Sequence, residues 1–181
     1  MLRHYCTYFD IGYATRGLCL YRSLKQHATP FLLHVLCLDD AVLALLEELE
    51  LPEVRLLSLA DLEAAYPELA SVKATRTRIE YYFTLSPVLP LHLLERSGMD
   101  LVTYLDADLF FYGSPEPLFL ELGEGSILIP PHRLAPRYRE LERTNGRFNV
   151  GVLSFRNDGR GLACLRWWRE RCLEWCYDRR E

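Results

Sequence analysis

Apolar and polar positions alternate along the chain between short apolar runs and longer amphipathic stretches. The run at residues 31–38 is almost wholly apolar, which is typical of a strand covered on both faces. Strands are predicted at residues 4–9, 31–38, 54–59, 126–129 and 148–155, with another that starts at Leu101.

The amphipathic stretches between these runs predict helices. Thr15 is suited to cap the first, Asp39 and Asp40 start the second, and Pro87 and Pro90 are expected to interrupt the longest. A polar, basic segment, KATRTR at residues 73–78, precedes that helix. The predicted helices cover residues 15–27, 39–50, 60–67, 79–97 and 161–176.

Strand and helix therefore alternate over most of the chain, which predicts a layered α/β fold with a mainly parallel sheet. A chain of 181 residues suits a single domain over residues 1–181. In such sheets, ligands bind beyond the carboxyl ends of the strands. Ligand-binding residues are therefore expected at the carboxyl ends of the strands.

Composition excludes several classes of function. The net charge is only −4, and a quarter of the residues are charged, so electrostatic binding of nucleic acid is not expected. No apolar run has transmembrane length. Reduced cysteines without a signal peptide favour the cytoplasm, and peripheral membrane attachment stays open.

The six cysteines form no CxxC pair. Cys6, Cys19 and Cys37 lie in apolar segments and are expected in the core. Cys172 and Cys176 are four apart on the last predicted helix, a spacing that could suit a metal, but no histidine follows Cys164 to complete a zinc set. We therefore interpret these cysteines as buried thiols and not as metal ligands.

Asp106 and Asp108 follow the apolar residues 101–105 directly. In extended chain, both carboxylates would point to the same side. Two such anions repel each other and resist burial, so they require a counter-charge, and a divalent cation is the simplest one. The alternative is a turn at the strand end that Asp108 caps.

Haloacid-dehalogenase-type phosphatases also place a DxD motif after a buried strand. Their motif lies near the chain start, with Thr or Val two residues past the second aspartate. Here the motif is in mid-chain, that position is Phe110, and only Asp158 and Asp178 follow as further aspartates. The pattern disfavours this class without excluding it.

Three segments, in order, resemble the GT-A glycosyltransferases, particularly the glycogenin-like group. They are TYFDIGYATRGLCLYRSL, YLDADLFFYGSPEPLF and FNVGVLSFRN. The resemblance implies a Rossmann-like three-layer sandwich and metal-dependent transfer of a sugar. The donor would be a nucleoside diphosphate sugar, expected to be uridine-linked, and the acceptor a hydroxyl of a glycan, lipid or protein. Retention at the sugar carbon is implied, and no catalytic residue is assigned.

The resemblance also implies what individual residues do. Asp108 would bind Mn²⁺ (or Mg²⁺) directly, and Asp106 would contact the metal shell or the ribose. Asn149 and Gly151 would face the donor sugar, with Val150 where relatives have serine. The nucleoside would lie against residues of the first strand-to-helix loop: Thr7, Tyr8, Phe9, Asp10 and Tyr13.

Several of these assignments have structural alternatives. Tyr8 or Phe9 can be an ordinary core residue, and Asp10 can cap a turn. Arg78, with Arg76, could reach the diphosphate or belong to a solvated basic loop, because the basic residue of the family's helix is replaced by Thr84.

His132 is interpreted as structural. The family's Asp-Gln segment and a later histidine of the metal shell are not found after residue 176, so the C-terminal part of the domain is expected to be missing. A non-catalytic domain that binds a nucleotide or a partner stays an alternative.

Overall fold

The central strands of the sheet are parallel. The computed structural model describes residues 1–178, apart from the side chain of Asn145, and contains one six-stranded sheet of order β3-β2-β1-β4-β6-β5. β6 is antiparallel to both β4 and β5. The strands are β1 (Arg3–Phe9), β2 (Phe31–Cys37), β3 (Val54–Ser58), β4 (Leu101–Leu105), β5 (Ile127–Leu128) and β6 (Val152–Arg156).

Eight α-helices surround this sheet within the described residues. Three were not predicted, namely α4, α6 and α7, which are all short. The helices are α1 (Ala14–His27), α2 (Asp40–Glu48), α3 (Leu59–Ala65), α4 (Glu68–Lys73), α5 (Arg78–Ser97), α6 (Glu116–Leu122), α7 (Glu142–Asn145) and α8 (Gly159–Glu174).

Two predictions about helix ends were wrong. Thr15 does not cap α1, because a 3₁₀ turn at Ile11–Tyr13 precedes the helix and Asp10 caps that turn. Pro87 and Pro90 do not interrupt α5, which is one continuous helix. A proline inside a helix costs about 3 kcal/mol, but both prolines and most of their neighbours in α5 are buried. Packing of these side chains offsets that cost.

The sheet has a hydrophobic core on each face. One core contains buried side chains of α5 and α8, and the other contains those of α1 and α2. Cys19 is exposed on α1, contrary to its predicted place in the core. Helices on both faces of a largely parallel sheet make three layers, so the predicted three-layer α/β fold is confirmed. No helix among residues 1–178 is long and apolar enough to cross a membrane.

The strand order changes direction at β1. The chain runs from β1 to β2 and β3 on one side, and then returns to place β4 on the other side of β1. Ligands of such sheets bind where the order reverses, outside the carboxyl ends of the strands. A ligand-binding site is therefore expected at the carboxyl ends of β1 and β4.

Candidate functional site

An open cleft of about 590 Å³ lies at the carboxyl ends of β1 and β4. Its walls come from the loop after β1, the loop after β4 and the first two turns of α5. Six of its lining residues were predicted as nucleotide-binding residues, and two of its lining residues, Asp106 and Asp108, as metal ligands. Its lining includes Tyr8, Phe9, Asp10, Tyr13, Arg78, Tyr82, Phe83, Tyr104, Asp106 and Asp108.

Both aspartates of the DxD motif line the cleft, although the chain is not extended there. β4 ends at Leu105, and the amide N–H of Leu109 donates to the Asp106 carbonyl at 3.2 Å. This hydrogen bond closes a turn, so the extended geometry assumed from the spacing was wrong. The turn leaves Asp106 partly buried and Asp108 exposed.

Two hydrogen bonds fix Asp106. Its amide N–H donates to the Gly151 carbonyl at 2.9 Å, and the Tyr104 hydroxyl donates to its Oδ1, also at 2.9 Å. Burial raises the pKa of the Asp106 carboxyl, the bond from Tyr104 lowers it, and the Asp108 charge raises it further. The net effect is a raised pKa, which is the electrostatic strain that a cation would relieve.

The predicted donor-sugar residues lie beside Asp106. The Gly151 amide donates to Asn149 Oδ1 at 2.6 Å. A Cβ atom on Gly151 would lie 2.8 Å from that oxygen and 3.4 Å from Asp106 Oδ2, so only glycine allows this approach.

His132, interpreted from sequence as structural, contacts the same group. Its Nδ1 lies 3.4 Å from Asn149 Nδ2. The two residues are held together by backbone pairing, in which the Asn149 amide donates to the Pro130 carbonyl at 2.9 Å and the His132 amide donates to the Arg147 carbonyl at 2.8 Å. Sequence spacing gave no signal of this pairing.

Among the predicted nucleoside residues, Thr7 does not line the cleft. It is fully buried, and its hydroxyl has no hydrogen-bond partner among the described residues. Phe9 is only 3% exposed and packs against Gly17, so it is mainly a core residue with an edge in the cleft. Tyr8 lies in the wall, with its hydroxyl 2.9 Å from Ser86 Oγ.

Asp10 and Arg78 join the two sides of the cleft. Asp10 Oδ1 accepts from the Tyr13 amide at 3.2 Å, and Arg78 Nη2 donates to Asp10 Oδ2 at 2.5 Å. The Asp10 side chain is only 8% exposed, whereas that of Arg78 is 72% exposed. Asp10 therefore caps a turn, and Arg78 reaches over the cleft rather than lying in a solvated loop.

Arg76 lies away from this cleft. Its Nη1 donates to the buried Thr84 hydroxyl, and its Nη2 donates to the Leu173 carbonyl at 2.7 Å. The guanidinium thus contacts the position at which the glycogenin-like group has a basic residue. Arg76 and Arg78, which have the same charge and are two residues apart, occupy different environments.

The cleft provides two carboxylates, one exposed guanidinium and several aromatic walls. No group of three or more His, Cys, Asp or Glu side chains within residues 1–178 is arranged to hold a metal ion. Two carboxylates suit a hard cation such as Mn²⁺ or Mg²⁺ whose other ligands are phosphate oxygens and water. The donor set of Asp106 and Asp108 fits that chemistry.

No protein-family model matches the chain. Two curated proteins of Bacillus subtilis (strain 168) are similar to it, and both are described as uncharacterized. YfnF is 35% identical over 97% of this chain and 60% of its own length. YfnD is 30% identical over 96% of this chain and 55% of its own length. The chain thus spans little more than half the length of these relatives.

Solved glycosyltransferase structures share the fold. The galactosyltransferase LgtC, solved with donor and acceptor sugar analogs, has a TM-score of 0.61 at 19% identity over 94% of this chain and 65% of its own. The bifunctional glycosyltransferase WbbM has a TM-score of 0.58 at 17% identity, and the match covers 94% of this chain and 34% of WbbM. The glycosyltransferase GlyE of Streptococcus pneumoniae TIGR4 has a TM-score of 0.55 at 20% identity, and the match covers 92% of this chain and 37% of GlyE. The chain therefore has the GT-A fold.

Proposed function

We propose that the chain is the nucleotide-sugar-binding domain of a metal-dependent glycosyltransferase of the hexosyltransferase type. The donor would be a UDP-sugar, and the acceptor a hydroxyl group of a glycan, lipid or protein. One observation carries this proposal: the cleft at the switch point of the sheet combines the Asp106–Asp108 pair with Arg78 and aromatic walls. A cytoplasmic site of action is part of the proposal.

The chemical requirement of sugar transfer matches these groups. Breaking the bond between sugar and phosphate leaves a diphosphate with additional negative charge. A divalent cation held by Asp106 and Asp108 would stabilise that leaving group. Tyr104 keeps the Asp106 carboxylate oriented through its hydroxyl, and Gly151 allows Asn149 to lie next to it.

The remaining lining residues suit the nucleoside and the phosphates. Tyr8, Tyr13 and Tyr82 line the cleft, and an aromatic ring there can stack on a base. The exposed guanidinium of Arg78 can bind a phosphate oxygen. Its bridge to Asp10 keeps it over the cleft before a ligand arrives.

Calorimetry with UDP, with and without Mn²⁺, tests the proposal. We expect binding that requires Mn²⁺ and that weakens by about 10–100-fold or more in Asp108→Ala, since the variant removes a metal ligand. Asp100→Ala is the matched control, because Asp100 is exposed just before the amino end of β4, at the opposite end of that strand from the cleft.

The other outcomes identify the alternatives. Hydrolysis of a generic phosphate ester with Mg²⁺, without UDP binding, would favour the phosphatase. Tight UDP binding without hydrolysis or transfer from any UDP-sugar would favour a non-catalytic domain. UDP binding that is equal with and without Mn²⁺ would contradict metal dependence.

A further inference from the structure

A short backbone pairing just before β6 holds His132 against the side chain of Asn149. Pro131 and Phe148 form an antiparallel bridge, and backbone hydrogen bonds from the His132 and Asn149 amides flank it. The pairing leaves His132 Nδ1 3.4 Å from Asn149 Nδ2. The backbone therefore fixes the position from which both side chains start, although the two residues are 17 positions apart.

The side-chain amide of Asn149 can take only one orientation. The backbone N–H of Gly151 can only donate, and it lies 2.6 Å from Asn149 Oδ1. Exchanging the amide oxygen and nitrogen would place two donors at that distance, so the oxygen must face Gly151. The NH₂ group of Asn149 then faces His132.

This orientation decides the role of the imidazole ring. Because an amide nitrogen can only donate, Nδ1 of His132 must accept, and the ring carries its proton on Nε2. Among the described residues, the Asn149 side chain makes hydrogen bonds only to His132 and Gly151. One amide N–H and one lone pair of the oxygen are left over. A hydroxyl group, which both donates and accepts, matches that combination.

Hydrogen bonds connect this amide to the cleft. The Gly151 carbonyl accepts from the Asp106 amide at 2.9 Å, and Asp106 lines the cleft. His132 is not among the lining residues. Its contact with Asn149 is therefore the route by which the ring can affect a ligand.

We propose that His132 is a positioning residue, which holds the Asn149 amide in place for a hydroxyl group of the donor sugar. The inference rests on the proposed function and on the assignment of Asn149 to the donor sugar. The contact between His132 and Asn149 does not depend on either, because backbone pairing and the Gly151 donor define it.

NMR of the unmodified chain without ligand tests the contact. The side-chain NH₂ signal of Asn149 is identified by its loss in Asn149→Ala, and we expect one of its protons to be shifted downfield by the bond to His132. In His132→Ala that proton should return to the position of a solvated amide. His27→Ala is the matched control, because His27 lies at the end of α1 and does not line the cleft.

The same sample reports where the imidazole proton lies. Correlation of the ring nitrogens of His132 with its carbon-bound protons distinguishes the two neutral forms, and we expect the proton on Nε2. A proton on Nδ1, or an Asn149 signal that does not respond to His132→Ala, would overturn the proposal.

Calorimetry with Mn²⁺ tests what the contact does for the donor. UDP, UDP-glucose and UDP-galactose are the probes. We expect His132→Ala to weaken binding of the UDP-sugars by about tenfold, the effect of one lost hydrogen bond. Binding of UDP, which has no sugar for Asn149 to contact, should stay unchanged, as should binding of all three probes to His27→Ala.

Two further variants separate positioning from the filling of space. His132→Asn carries its amide oxygen near the place of Nδ1 and should retain most of the affinity for UDP-sugars. His132→Gln is closer to histidine in size, but its amide group lies near the place of Nε2. It should therefore bind UDP-sugars as weakly as His132→Ala.

Three calorimetric results would contradict the role of His132 toward the sugar. They are unchanged affinity for both UDP-sugars in His132→Ala, an equal loss of affinity for UDP, and equal rescue by asparagine and glutamine. An unmodified chain that binds no UDP would instead contradict the proposed function, and the role toward the donor would fall with it. The NMR signals would then still decide whether His132 holds Asn149.

Discussion

At the scale of single residues, Gly151 has the tightest surroundings in the site. A Cβ atom there would overlap Asn149 Oδ1, and Asp106 Oδ2 would lie at contact distance from it. The backbone of Gly151 also contacts both residues, since its N–H donates to Asn149 and its carbonyl accepts from Asp106. An added methyl group would therefore displace the Asn149 side chain and would lie in contact with the Asp106 carboxylate.

We predict that Gly151→Ala weakens Mn²⁺-dependent UDP binding by about 10–100-fold, the usual effect of disturbing groups that orient metal ligands. Calorimetry measures it. Gly159→Ala is the control, because a Cβ atom there meets nothing within 4 Å. Equal affinity in Gly151→Ala and the unmodified chain would show that Asn149 and Asp106 need not lie this close.

Asp106 should destabilise the fold at neutral pH. Its pKa is raised in the folded chain by burial and by Asp108, so the folded state binds protons more readily than the unfolded state. This contribution to the free energy of unfolding becomes unfavourable as pH rises from the ordinary aspartate value of 3.8 through the raised value.

We therefore expect Asp106→Asn to have a higher Tm than the unmodified chain at pH 7, with a difference that shrinks towards pH 4. Asparagine can still accept the Tyr104 bond. In a chain of this size, about 1 kcal/mol corresponds to roughly 2–4 °C in Tm. Thermal unfolding at several pH values measures it, and a lower Tm at pH 7 would contradict the prediction.

The sequence identified the DxD residues but not how they are held. Asp106 and Asp108 are recognisable because an apolar strand precedes them. The Asp10–Arg78 bridge and the Asn149–His132 contact join residues 68 and 17 positions apart. Such contacts depend on the packing of whole elements, for which local spacing carries no signal.

At the scale of elements, α1 packs closely on β1. A Cβ atom at Gly17 would overlap the Phe9 ring, and Phe9 also lines the cleft. Glycine at this position therefore sets the distance between the helix and the strand that ends at the site.

Gly17→Ala should lower the free energy of unfolding by about 1–3 kcal/mol, the usual cost of overpacking a core. Urea unfolding measures it, with Gly159→Ala as the control in an open position. An unchanged midpoint would mean that Phe9 can move aside at no cost.

β1 and β2 bring two histidines together. His4 Nδ1 and His34 Nε2 are 3.3 Å apart. Burial, with His4 and Arg55 nearby, lowers the pKa of His34 to about 4. Because the unfolded chain then binds protons more readily, stability is retained above about pH 6.5 and lost as pH falls towards 4.

We predict that His34→Gln makes the loss of stability between pH 6.5 and 4 smaller by on the order of 2 kcal/mol. Urea midpoints at each pH measure this, and His27→Gln, at the end of α1, is the control. Parallel pH curves for His34→Gln and the unmodified chain would rule out this assignment.

Hydrophobic patterning predicted the long elements well, and the short ones poorly. The last strand was expected from residue 148 but begins at Val152, because the backbone of Phe148 and Asn149 pairs with residues 130–131 instead of with β4. Helices α6 and α7 have seven and four residues, too few for a periodic pattern. Their positions depend on tertiary packing.

At the scale of the whole molecule, the order of strands places the cleft. The alternation of strands and helices predicted a parallel sheet with chemistry at the carboxyl ends, and the GT-A fold confirms the architecture. The resemblance to the glycogenin-like group in particular stays a prediction. So do the metal and the donor.

If UDP and Mn²⁺ bind only the folded chain, they should stabilise it as a unit. At one hundred times the dissociation constant, the gain is about 2.7 kcal/mol, or roughly 5–10 °C in Tm. Differential scanning fluorimetry measures it. Mn²⁺ alone and Asp108→Ala with both ligands are the controls, and an equal rise in Asp108→Ala would place binding elsewhere.

The cleft and the first residue lie at opposite ends of β1: the cleft at its carboxyl end and Met1 at its amino end. Met1 is 93% exposed beside the start of β1, and the seven residues of that strand span roughly 20 Å before the cleft begins. A chain immobilised through its amino terminus on a sensor surface would therefore turn its binding face to the flowing solution. Dissociation rates of candidate donors and acceptors could then be measured without the support obstructing them.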